Sequence, residues 1–132
     1  SVDNIELAQE LDKQAAKIKK KQDVLIEVSI AGETIKAGVS IDAAAALVRE
    51  ATALNHLSIK GLMTIPPFLD DPEHVRPYFK KLRDLSRSIA HENIPGVSMQ
   101  ELSMGMSGDF EVAIEEGATM VRVGTAIFGE RR

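Results

Sequence analysis

Four short apolar runs, centred near Leu25, Ile59, Leu102 and Val121, alternate with segments whose apolar residues recur at helical spacing. That alternation constrains the fold more than any other feature. Strands joined through a helix lie parallel in one sheet, with the helices packed on its face. Four such strand–helix units are half of an eight-stranded (β/α)8 barrel of the TIM type, which takes about 200 to 250 residues when complete. The chain has 132 residues, too few for a closed barrel. The expected fold is therefore α/β, a single partial barrel domain over residues 1–132 built from parallel (β/α) units.

Each unit carries its own punctuation. Asp3, with Glu6 three residues on, reads as the N-cap and capping-box partner of a first helix with an apolar stripe at Ile5, Ala8, Leu11, Ala15 and Ile18. Lys17, Lys19, Lys20 and Lys21 sit at its end, where cations belong as a solvated terminus. Val24 to Ile30 is nearly continuous in apolar residues, the pattern of a strand covered on both faces, with Glu27 as the interruption. Glu27 either points into a polar layer of a barrel or is paired at an edge. Ser40 opens a second helix running to Leu54. Leu57–Ile65 forms the next strand, where Gly61 permits a close backbone approach and Thr64, Ile65 and Pro66 come to the rim of any ligand site. Asp70-Asp71-Pro72-Glu73 is a strong helix entry. Pro77 falls early in that helix, whose stripe is Val75, Phe79, Leu82, Leu85 and Ile89. The methionines at 63, 104, 106 and 120 are expected to fill the core.

The chemistry concentrates between Glu101 and Gly129. A strand through Leu102 gives way to the small-residue turn Ser103-Met104-Gly105-Met106-Ser107-Gly108-Asp109, and a short helix begins at Phe110. Glycines let the backbone approach a ligand and a helix start offers unpaired N–H groups, so such a turn suits a phosphate, with Ser107 as an N-cap hydroxyl. Gly117 ends the helix. A second strand, Thr119 to Val123, then runs into Gly124-Thr125, a turn of the same kind. Parallel neighbours would bring both turns to one end of the sheet, where they could hold one phosphate from two sides. Arg122 places a permanent charge inside this apolar strand, and a buried guanidinium requires a partner, for which a ligand is one candidate. The loop after the Val24–Ile30 strand adds Lys36, either a solvated loop lysine or an amine able to contact phosphate or condense with an aldehyde.

Other chemistries find less support. The chain has no cysteine, which removes disulfides, thiolate metal sites and cysteine nucleophiles together. His56, His74 and His91 lie apart from any carboxylate cluster in sequence, so no metal site is assigned. A net charge of −4, one tyrosine, no tryptophan and no basic stripe argue against nucleic acid. With no run of eighteen apolar residues and no signal-peptide pattern, neither membrane nor export is expected, and a cytoplasmic location is.

The stretches SMGMSGD and EEGATMVRVGTAIFGER, with IKGLMTIPP and VLIEVSIAGETIKAG upstream, resemble the pyridoxal phosphate homeostasis proteins (YggS/PROSC) over nearly the whole chain. The barrel of that family is similar to the N-terminal domain of alanine racemase. The resemblance implies that Ser107, Gly124 and Thr125, with the backbone at Met106, hold the phosphate of pyridoxal 5′-phosphate (PLP). It also implies that Arg122 faces the pyridine nitrogen. It further implies that the chain is the C-terminal half of such a protein, and that the lysine binding the cofactor covalently lies in a segment preceding Ser1.

A partial parallel barrel leaves open strand edges and an uncovered inner face, so a complementary N-terminal half-barrel segment or self-association is expected. The implied function is a non-catalytic carrier of PLP in cellular homeostasis, whose recipients would include PLP-dependent apoenzymes. A racemase-like enzyme is the alternative, but it needs bases on both faces of the ring, and Tyr78 falls on a helix. A generic phosphate-binding half-barrel would use the same Ser107, Gly124 and Thr125.

Overall fold

Buried side chains at Val24, Ile26 and Val28 alternate with half-buried ones, and that period of two fixes which face of the sheet the helices cover. The computed structural model describes residues 1–32 and 37–131. In chain order the elements are α1 (Ile5–Lys17), β1 (Gln22–Ser29), β2 (Val39–Ser40), α2 (Ile41–Ala51), β3 (Leu57–Met63), α3 (Pro72–His91), β4 (Val97–Met106), α4 (Phe110–Glu115), β5 (Met120–Arg122) and α5 (Thr125–Phe128). The strands form one sheet in the order β2-β1-β3-β4-β5. Every neighbouring pair is parallel, as the alternation requires of β1, β3, β4 and β5.

The core lies between the sheet and its helices. Phe79, Leu82 and Ile89 of α3, with Val48 of α2, are buried with Ile26, Leu62 and Met104 of the strands. The near-continuous apolar run in β1 predicts cover on both faces, and here the structure differs. Leu25, Glu27 and Ser29 are only half-buried, because the helices occupy one side alone. Over the other face opens a cleft of about 480 Å³ lined by Leu25, Lys60, Glu101 and Met120. Met104 fills the core as expected, whereas Met106 and Met120 are exposed.

Local signals behave as their chemistry dictates, with two corrections. Ser40 caps α2 by accepting from the Ala43 amide, and Asp71 caps α3 with Pro72 behind it. The first helix is capped not by Asp3 but by Asn4, whose side chain accepts from Leu7 at 2.8 Å. Val2 explains the shift. It is held against β1, donating to Leu25 O and accepting from Glu27 N, both at 2.8 Å, so the chain leaves the sheet one residue later. Asp3 accepts instead from the Gly38 amide at 3.0 Å. The second correction concerns β4. It continues as strand through Met106, because Met106 pairs with Arg122, and the turn shrinks to the residues that follow. The two-residue β2 has too few residues to show any period in sequence.

At Gly61 the bulged pairing of β3 with β4 brings the chains so close that a Cβ would sit 1.8 Å from the Glu101 carbonyl oxygen. No side-chain movement relieves a contact with backbone. Gly61→Ala is therefore expected to cost about 3 kcal/mol or more of stability, read as a fall in the urea midpoint. An unchanged midpoint would show that the β3–β4 register is not what the structure gives.

Candidate functional site

Because β4 and β5 are parallel, with Met106 opposite Arg122, the turns after them emerge at the same end of the sheet. Ser107 joins them. Its Oγ accepts from the Gly124 and Ala126 amides, each at 3.1 Å. A hydroxyl has two acceptor lone pairs and one hydrogen, so with both lone pairs engaged its remaining capacity is as a donor. Ser107 is thus not the N-cap of α4, as its place in the sequence suggests. Asp109 takes the N-cap position, since the turn defers the helix to Phe110. Thr125, exposed, opens α5 between the two bonded amides.

The Met106 amide, expected among the phosphate donors, already has an acceptor: it donates to Asp109 Oδ1 at 2.7 Å. Lys36 lies outside the described residues.

Arg122 is half-buried. Its Nη2 donates to the carbonyl oxygens of Thr64 at 2.8 Å and Ser103 at 3.4 Å, so the guanidinium spans the ends of β3 and β4. Thr64 is fully buried, and its hydroxyl donates to Val28 O at 2.7 Å, which fixes the carbonyl that Arg122 uses. The Arg122 Nε is enclosed and has no acceptor among the described residues. Burial lowers the pKa of Arg122 below the usual arginine range, while the Glu27 and Asp109 carboxylates act in the opposite direction.

An ion cluster holds the short helix that carries the first turn. The Glu116 carboxylate, 8% exposed, accepts from Arg76 Nη1 at 2.6 Å and Arg83 Nη1 at 2.7 Å, both from α3. Arg76 also binds Glu73 and Glu115 at 2.8 Å. The hydrogen bonds from Arg76 hold the Glu73 and Glu116 carboxyls below the ordinary carboxylate range. Among the described residues no group of three or more acidic or histidine side chains is placed to hold a metal. No described helix is long and apolar enough to cross a membrane.

The family model for the alanine racemase N-terminal domain matches residues 1–132. The chain belongs to that family. Within it, the pyridoxal phosphate homeostasis protein of Aquifex aeolicus is 52% identical over all of this chain and 57% of its own length. The structure of PipY from Synechococcus elongatus with PLP bound superposes with a TM-score of 0.86 at 32% identity, over 98% of this chain and 59% of that one. An alanine racemase from Clostridium difficile, at 17% identity and a TM-score of 0.72, shares the barrel fold. The chain thus spans a little over half the length of the curated relatives it matches.

Sequence reading found both turns and Arg122 but missed three partners. Asp109 could have been flagged, because a short acid three residues after an amide is a common acceptor for it. Ala126 and Thr64 gave no signal, since an amide or carbonyl offers the same chemistry at every position.

Two outcomes are expected. Ser107→Ala removes the acceptor of Gly124 and Ala126 and should raise hydrogen exchange at both amides about tenfold, the equivalent of about 1.4 kcal/mol. Unchanged exchange would separate the two turns. Carboxyls depressed in the folded state contribute stability above their ordinary value of 4.5 and lose it as pH falls through the folded-state values. Glu116→Gln should therefore lower the urea midpoint at pH 7, with the difference from the parent chain narrowing on acidification below about pH 4.5. A difference that stays constant with pH would remove the cluster from the account.

Proposed function

We propose that this chain forms the phosphate and ring-nitrogen side of a PLP site, in a protein that stores and hands over the cofactor rather than transforming a substrate. The observation that carries this reading is Ser107 Oγ tied to the Gly124 and Ala126 amides at 3.1 Å, with Arg122 two residues before Gly124 on the adjoining strand. Support comes from the Aquifex relative, named a pyridoxal phosphate homeostasis protein, and from PipY, solved with PLP bound.

The residues present fit the group. A Cβ at Gly108 or Gly124 would meet no atom within 4 Å, so there is open space against the backbone of both turns. The Ser107 hydroxyl retains a hydrogen to give. Arg122 has an enclosed donor without an acceptor, which a ring nitrogen would supply. When bound, PLP supplies an electron-withdrawing ring. An arginine facing its nitrogen keeps that nitrogen unprotonated and the ring a weak electron sink, which suits storage. A racemase would need bases on both faces of the ring, and Tyr78 packs in the helical layer against the core. That counts against the enzyme reading.

The cleft over the uncovered face of the sheet, with Leu25 and Met120 on it, is the surface that further barrel strands would cover. Those strands, supplied by a complementary segment or a second copy, complete the pocket in this reading. PLP-dependent apoenzymes then receive the cofactor.

Calorimetric titration with PLP and with inorganic phosphate tests the assignment. Ser107→Ala should weaken both ligands about tenfold, whereas Arg122→Ala should weaken PLP and leave phosphate nearly unchanged. PLP binding that leaves the Gly124 and Ala126 amide resonances unmoved would place the site elsewhere.

A further inference from the structure

Three amides in or beside the two turns have acceptors that differ in kind. Gly124 and Ala126 give their hydrogens to a neutral hydroxyl, but Met106 gives its hydrogen to a carboxylate, Asp109 Oδ1, at 2.7 Å. Asp109 is half-buried, at the entrance of α4, where Ser107, Gly108 and Pro72 share with it a cleft of about 160 Å³. Its charge also reaches Arg122. A negatively charged oxygen of the chain's own thus already stands against an amide of the turn proposed to bind an oxyanion.

Resting on the reading of Ser107, Gly124 and Ala126 as a phosphate site, we infer that Asp109 is an internal stand-in for the phosphate, which weakens the hold on the anion and eases its release. Two effects act in the same direction. With the anion away, Asp109 holds the Met106 amide at 2.7 Å, so an anion has to displace the chain's own carboxylate to use that donor. With the anion present, a carboxylate within a few ångströms opposes it by like charge, in a site exposed enough for salt to screen the repulsion. A protein that hands over its cofactor gains from both.

The competing role is that Asp109 simply shapes the turn. Asparagine separates the two, because its side-chain oxygen still accepts from Met106 while the charge is gone. The experiment follows the Met106, Gly124 and Ala126 amide resonances of the full chain during titration with inorganic phosphate, then with PLP. It compares the parent, Asp109→Asn, Asp109→Ala and, as a charge control in the same cleft, Glu111→Gln. Asp109→Asn is expected to bind phosphate about tenfold more tightly at low ionic strength, with the gain shrinking as salt passes about 0.15 M. Asp109→Ala should bind at least as tightly as the parent, and Glu111→Gln should gain less than Asp109→Asn. Asp109→Asn binding no better than the parent, Asp109→Ala binding worse, or Glu111→Gln matching Asp109→Asn would each overturn the stand-in role while leaving the phosphate site intact. If phosphate moves none of these amides in the parent chain, the site itself falls, and Asp109's role with it.

Discussion

The parallel register of β4 against β5 is the constraint on which the candidate site depends. Parallel neighbours release the chain at the same end, so residues seventeen apart in sequence, Ser107 and Gly124, meet within one hydrogen bond. Parallel pairing in turn requires a crossover, and here the crossover is α4, six residues long. A helix that short is not stable by itself in water. It is held by the buried Val112 and Ala113 and by Glu116 between two arginines of α3. Gly105 completes the fit, since a Cβ there would lie 2.6 Å from the Ala113 side chain. Packing and ion pairing on the far side of β4 thus set where the Ser107 hydroxyl can reach.

What was legible in the sequence is what residue type and local spacing decide. The alternation of apolar runs gave the parallel sheet, Ser40 and Asp71-Pro72 marked helix starts, Gly61 marked a close approach, and the small residues near Ser107 and Gly124 marked both turns. What escaped was settled at long range. Asn4 displaced Asp3 as a cap because Val2 pairs with Ile26, and nothing near Asp3 announces that pairing. The N-cap expectation for Ser107 failed because its partner belongs to another turn. In β1 the apolar run suggested burial on both faces, but burial depends on what covers a face, and Leu25 shares its face with Glu27.

Arg122 shows the same division between chemistry and placement. A guanidinium in an apolar strand announces an unmet need, which the sequence states correctly. Its acceptors are backbone carbonyls of Thr64 and Ser103, the first 58 residues away, and no side-chain pattern could name them. Carbonyls satisfy hydrogen-bonding capacity without cancelling charge. Among the described residues the counter-charges are Glu27 and Asp109, which oppose the effect of burial on the arginine.

That opposition bears on how an anion would be held. With a net charge of −4, the field of the whole chain does not draw a phosphate in from a distance. Among the described residues, attraction at the site has to come from contacts made within a hydrogen bond's length, above all the hydrogen that Ser107 Oγ retains once the Gly124 and Ala126 amides engage its lone pairs. Such contacts decay within an ångström of misalignment, whereas a cluster of lysines would tolerate it. Affinity in a site of this kind is therefore governed by how the two turns are spaced, and that spacing is set by α4 on β4 together with the Ser107 hydrogen bonds to Gly124 and Ala126.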